Sequence, residues 1–417
     1  MPQKMTLLAP SRIAMVVLLG VPIEAAAQSA SAGSASDTRR VELTIGSRGS
    51  YDSNVRRSQQ DLNGPVAEHR DDLIAEPRIT MDVLLPFGRQ SLFASGGMGY
   101  RFHLHNSFLD RENVNVTGGV RLRPLRPCLT TLATSIVRQQ SDLANIFDAL
   151  NPQNTETIAS GSADISCATA GGLAATLGYR RTSATNSAPL RQINEYESDS
   201  VTGSIGFSRP RLGTLSLYGS YGTTRYPNRV PLNPLPDGYQ VDGIQVYGAG
   251  VRYAREIGTR LTGEVSGGYM KVSPRLASVP GFKGASWAAD LTYDTRNRLR
   301  ASLSAARVVE ASNLIGAAYS IATRWRLHAD YALSPRYKLA AGVAHVRRRF
   351  EVSPLYPLPN FNSRDRTTSV YASLSAGNVG PVAIVVDAAR ERRKAAVPLY
   401  DYGSTRLGVT ATYRFGH

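Results

Sequence analysis

From about residue 40 to its end, the chain alternates between apolar and polar positions. In 317–331, AAYSIATRWRLHADY, the odd positions include Ala317, Tyr319, Ile321, Trp325, Leu327 and Tyr331, and the even ones Ser320, Arg324, Arg326, His328 and Asp330. A period of two puts successive side chains on opposite faces, which marks a β-strand with one greasy and one wet side. The same split recurs at 287–294, with Trp287, Ala289, Leu291 and Tyr293 against Asp290, Thr292 and Asp294. It recurs again at 92–102, where Leu92, Ala94, Met98, Tyr100 and Phe102 oppose Ser95 and Arg101. Eighteen such segments, mostly 11 to 17 residues long, run from 40–53 to 401–415. Long helical patterns are missing.

The connections differ in kind at the two ends of these segments. Short turns such as PFGR (86–89), TAGG (169–172), TRNR (295–298) and NVGP (378–381) carry the Gly, Pro, Asn and Asp chemistry of hairpins. Between them lie longer polar or proline-rich links at 54–70, 142–154, 185–194, 227–241, 274–283 and 350–364. Outer-membrane barrels have short periplasmic turns, long extracellular loops and an even strand count. Strands of a soluble sandwich or propeller are nearer about 5–6 residues. The pattern therefore predicts an all-β, antiparallel up-and-down transmembrane barrel of about 18 strands, with 16 the alternative count. Tyr319, Ile321, Trp325, Leu327 and Tyr331 are then expected to face lipid.

The first 27 residues have the form of a cleaved export signal, with Lys4 and Arg12 before the apolar run Ile13 to Ile23 and then Ala25-Ala26-Ala27. That run is shorter than the roughly 20 residues needed to span a bilayer. The expected division is a signal peptide at 1–27, a periplasmic segment at 28–39 and the barrel at 40–417. The short segment leaves no room for a plug domain or a passenger. The last strand, RLGVTATYRF (406–415), resembles the C-terminal signal read by the barrel-insertion machinery, with Tyr413 and Phe415 as its aromatic residues, followed here by Gly416-His417.

Charge adds a candidate path. The chain has 48 Lys and Arg against 32 Asp and Glu, a net +16. The surplus is uneven, since 298–417 holds 18 Lys and Arg against 7 Asp and Glu. Alternation assigns Arg101, Arg121, Arg252, Arg300, Arg324, Arg326, Lys338, Arg406 and Arg414 to the lumen. Inward acids, among them Glu76, Asp82, Glu264, Asp290, Asp330 and Asp387, are available to pair with some of them. Basic side chains in a pore lower the entry barrier for anions. The runs RRR (347–349) and RERRK (390–394) fall at the loop-side rim, where solvent or lipopolysaccharide phosphate explains them. No nucleic-acid module accompanies the charge.

Cys128 starts one segment and Cys167 ends the next, so antiparallel pairing brings both to the turn-side rim as a candidate disulfide in an oxidising compartment. Of the six histidines, His103 and His105 lie two apart, a weak metal signal. No G-x-S-x-G, H-E-x-x-H or P-loop is present. No enzyme, metal or cofactor is expected.

Two stretches carry a family resemblance: GSYDSNVRR (49–57) and DDLIAEPRITMDVLLPFGRQSLFASGGMGYRF (71–102), whose Pro77 faces lipid. They resemble the outer-membrane barrels called putative β-barrel porin type 2, often associated with exopolysaccharide or capsule systems. The resemblance implies an export pore for a secreted polysaccharide, fed by a periplasmic polysaccharide-export protein. The strand count and basic lumen also resemble the alginate exporter, a different family with an anionic polymer as substrate. The expectation is a pore exporting an anionic exopolysaccharide; the alternative is a general or anion-selective porin for small solutes.

Overall fold

The computed structural model describes residues 39–57, 69–125, 127–140, 154–209, 212–229, 241–312, 316–353, 361–377 and 380–415. The expected signal peptide lies outside the described residues, as do 28–38 and Gly416-His417.

The strands are Arg40–Asp52 (β1), Asp72–Phe87 (β2), Gln90–His103 (β3), Arg111–Leu122 (β4), Cys128–Gln140 (β5) and Thr155–Ala168 (β6). They continue as Leu173–Asn186 (β7), Tyr196–Arg209 (β8), Gly213–Tyr226 (β9), Asp242–Ile257 (β10), Leu261–Pro274 (β11) and Phe282–Asp294 (β12). The last six are Leu299–Ala311 (β13), Ala317–Ala332 (β14), Tyr337–Val352 (β15), Arg364–Ala376 (β16), Val382–Ala395 (β17) and Tyr402–Phe415 (β18). Each pairs antiparallel with its sequence neighbours, and β1 pairs with both β2 and β18. The sheet closes on itself, which leaves no edge strand.

Alternation fixes which face looks where. Leu327, Tyr331, Leu339, Val370, Leu374, Ile384, Val386, Leu407 and Val409 are each more than a third exposed. So large an apolar surface suits lipid rather than water. The opposite faces of the same strands carry Ser, Thr, Tyr and paired charges. At the turn end, β2 and β3 are joined by two residues, of which Gly88 has φ +64, the left-handed conformation such a tight turn demands. At the same end Cys128 and Cys167 are register partners and form a disulfide, with Cα atoms 4.0 Å apart.

One seam interrupts the wall. Along most neighbours pairing runs nearly the full strand, but β12 and β13 stop pairing above Trp287 and Arg307. Above that point Phe282 to Ser286 pair with β11 alone, and Val308 to Ala311 with β14 alone. The upper β13–β14 hairpin is thus released from β12, while β14 stays paired with β15 as far as Ala317 opposite Val352.

Candidate functional site

The candidate site is the lumen and its extracellular mouth. In β14, residues Ala317 to Ala322 are buried on both faces, whereas Trp325 and Leu327 lower down are 40% and 46% exposed. Tyr319 and Ile321, expected to face lipid, are 0% and 6% exposed. They pack with Ala318 against Ile244 and Val272 of β10 and β11 and against Leu276 and Val279 of the loop that follows β11. Ile244 and Val272 lie on the inward parity of their strands, since Tyr247, Val251 and Tyr269 on the other parity are exposed. The upper β13–β14 hairpin therefore folds inward at the mouth and seats on the inner faces of β10 and β11. Burying Tyr319 and Ile321 contributes roughly 1.5–3 kcal/mol each relative to leaving them in water.

Arg229, in the loop after β9, pins the seat. Its guanidinium is fully buried and donates to the carbonyl oxygens of Ala317 at 2.8 Å and Ser312 at 3.2 Å. Its Nε donates to the carbonyl of Ile193, in the connection between β7 and β8, at 3.0 Å. Charge balance comes from Asp242 at the start of β10, 3.1 Å away. The Tyr226 ring lies under the guanidinium, 3.6 Å to its centroid, and its hydroxyl accepts the Ser312 N–H at 3.0 Å. Tyr319 adds a hydrogen bond from its hydroxyl to the carbonyl of Pro280 at 2.8 Å. One buried cation thus ties together the β7–β8, β9–β10 and β13–β14 connections. A proline-rich loop has no periodicity, so no sequence signal singled out Arg229.

Below the mouth, the nine expected luminal cations all occupy inward parity, dispersed over seven strands. Six meet carboxylates: Arg101 with Glu76 at 2.8 Å, Arg252 with Glu264 at 3.1 Å, Arg324 with Glu310, Lys338 with Asp330 at 3.0 Å, Arg406 with Glu391 at 3.9 Å and Arg414 with Glu42 at 2.6 Å. Among the described residues Arg121, Arg300 and Arg326 make no ion pair, and Arg300 and Arg326 are exposed to the lumen. Both belong to the strands whose upper ends fold in at the mouth. Arg121 lies over the Phe93 ring, 5.0 Å to its centroid.

The lumen wall of β16–β1 holds further ion pairs. Asp365 takes both Arg348 and Arg393. Asp387 takes Arg48 at 2.6 Å. In the loop after β1, Arg57 binds Asp52 through two nitrogens and lies 3.8 Å from Glu391. Burial would lower the Arg57 pKa, but Asp52 and Glu391 outweigh it and hold the guanidinium above its ordinary value. The runs RRR and RERRK are therefore split: Arg348, Glu391 and Arg393 face in, and their neighbours face out. This redistributes the C-terminal charge surplus, much of which sits outside the lumen.

His103 is tied to Asp110 at 3.0 Å and His105 lies 3.5 Å from Asp72. Asp72 already accepts the backbone N–H groups of Leu73, Leu104, His105 and Asn106, a structural role. No cluster of three or more metal-ligand side chains occurs among the described residues.

A closed barrel with a lipid-facing apolar surface, a charged lumen and a folded-in mouth is the architecture of an outer-membrane channel. Residues 219–415 match the family described as Putative beta-barrel porin 2. The matched span is C-terminal, whereas the resemblance seen in the sequence rested on 49–57 and 71–102, which lie outside it. The chain is an outer-membrane, porin-like barrel. Among solved structures, this porin-like barrel is similar to OccK2 (OpdF) of Pseudomonas aeruginosa in complex with glucuronate, at 11% identity and TM-score 0.46, covering 91% of this chain and 98% of that one. It is also similar to OprD of Pseudomonas aeruginosa, at 10% identity and TM-score 0.44, covering 91% and 94%. The siderophore receptor PirA from Acinetobacter baumannii matches at 8% identity and TM-score 0.45, covering 89% and 80%. No curated protein matches the chain.

Proposed function

We propose that this porin-like barrel conducts anionic solutes past Arg300 and Arg326, through a mouth narrowed by the seated β13–β14 hairpin. The observation that carries this reading is the pair of lumen-exposed arginines without an ion pair among the described residues, on the strands that bear the hairpin. Exposed cations in a confined path attract anions without binding them too tightly to leave. The seated hairpin favours small acidic solutes over a polymer.

Export of an anionic exopolysaccharide, with a periplasmic export protein delivering the chain, is the second reading. The open seam between β12 and β13 favours it, because the wall there can widen on the β12 side for a larger cargo. Reversal potentials in a KCl gradient test the shared claim. Anion selectivity that falls in the double variant Arg300→Gln, Arg326→Gln supports it, and cation selectivity of the wild type overturns it. Block by an acidic oligosaccharide but not by its neutral analogue favours small acidic solutes; threading of the acidic polymer favours export.

A further inference from the structure

The outward face of β15–β17 carries charge that nothing in the lumen explains. Arg347, Arg349, Arg364, Arg366, Arg390, Arg392 and Lys394 all occupy outward parity at the extracellular end and are exposed. Register sets them side by side. Arg347 pairs with Arg366 and Arg366 with Lys394, one continuous row across three strands, and Arg349 pairs with Arg364. Adjacent strands lie about 4.7–4.9 Å apart, and like charges directly opposite destabilise a sheet. Elsewhere on the outer face Arg138 meets Glu112 and Arg181 meets Glu197. Here the ion pair among the described residues is Arg349 with Glu351, at 2.7 Å.

The row sits at the edge of the apolar girdle. One step below it, Trp325 stacks on His345 with ring centroids 5.6 Å apart, the kind of aromatic residue found at a membrane interface. Lower still, the outward face from β15 through β18 to β3 is furrowed. Ala372 and Ala388 are register partners, flanked by Leu374, Val386, Leu407 and Val409, and they line a cavity of about 950 Å³. Small side chains between large ones leave room for hydrocarbon beneath the cations.

We propose that this face is a binding site for the phosphorylated glycolipid of the outer leaflet, lipopolysaccharide. Its lipid phosphates bridge the row Arg347, Arg366 and Lys394, and its acyl chains lie in the furrow. Phosphate between facing guanidinium groups converts the repulsion into charge-assisted hydrogen bonds. The extracellular position selects the outer leaflet, and the furrow selects a lipid over a free anion. Solute conduction does not enter the argument.

Native mass spectrometry of the intact barrel in detergent tests the site, with diphosphoryl lipid A, dephosphorylated lipid A and inorganic phosphate as probes. The wild type is expected to bind the diphosphoryl lipid about tenfold or more tighter than the dephosphorylated one. The triple variant Arg347→Gln, Arg366→Gln, Lys394→Gln is expected to lose that preference, while Arg138→Gln, Arg181→Gln keeps it. Equal binding of the two lipids by the wild type overturns the proposal, and this comparison needs no variant to fold. Displacement of the lipid by equimolar phosphate also overturns it, in favour of a free-anion site.

Discussion

The hairpins β13–β14 and β17–β18 have the same topology and similar length, yet their extracellular ends behave oppositely. β17 and β18 stay in the wall. Pairing continues from Asp365 opposite Ala395 to Arg406 opposite Asp52, and the inward side is tied by Asp52, Arg57 and Glu391. β13 loses β12 above Arg307, and its hairpin turns in until Tyr319 and Ile321 are buried against the inner faces of nearby β10 and β11. β14 keeps β13 and β15 on its two sides, so the opening lies between β12 and β13 alone. Where β13 loses β12, the hairpin's apolar face can trade lipid for protein, and the pore acquires a constriction.

The largest expected effect comes from breaking the clamp. Arg229→Met leaves Asp242 buried and uncompensated, at a local cost of about 3–5 kcal/mol. Hydrogen exchange at 317–322 is expected to accelerate while β17 and β18 stay protected. Next, Leu327→Arg places a charge in the lipid girdle and lowers barrel stability by about 2–4 kcal/mol, read from the urea midpoint. The same substitution at Ser302, inward on β13 and only partly buried, is expected to cost less, because it faces the wet side. Removing the disulfide with Cys128→Ser and Cys167→Ser is expected to cost about 2–4 kcal/mol and to leave hairpin exchange unchanged, since the bond lies at the other rim. Tyr319→Phe deletes one hydrogen bond to Pro280 and is expected to cost about 0.5–1.5 kcal/mol, visible as modestly faster exchange in the hairpin alone.

Most of this fold was legible in the sequence because a barrel strand repeats a two-residue code between water and lipid. The first strand, expected at 40–53, is Arg40–Asp52, and the largest displacement is 380–391 against Val382–Ala395. The nine luminal cations followed from the same parity. The mouth was not legible. Tyr319 and Ile321 keep lipid-like alternation because protein, like lipid, accepts an apolar side chain. Arg229 sits in a loop without period, and its partners at Ile193, Ser312 and Ala317 come from distant parts of the chain. The basic row on β15–β17 was visible as two runs, but only register aligns Arg347, Arg366 and Lys394.

The seated hairpin as the determinant of bore is tested most directly by single-channel conductance of Arg229→Met beside the wild type, with Arg138→Gln as a control on the outer face. The expected result is a conductance several-fold above wild type, because releasing Ser312 and Ala317 unseats the hairpin from the mouth, while the control is unchanged. Equal conductance in Arg229→Met and the wild type, with faster exchange at 317–322 showing the hairpin released, would contradict the account.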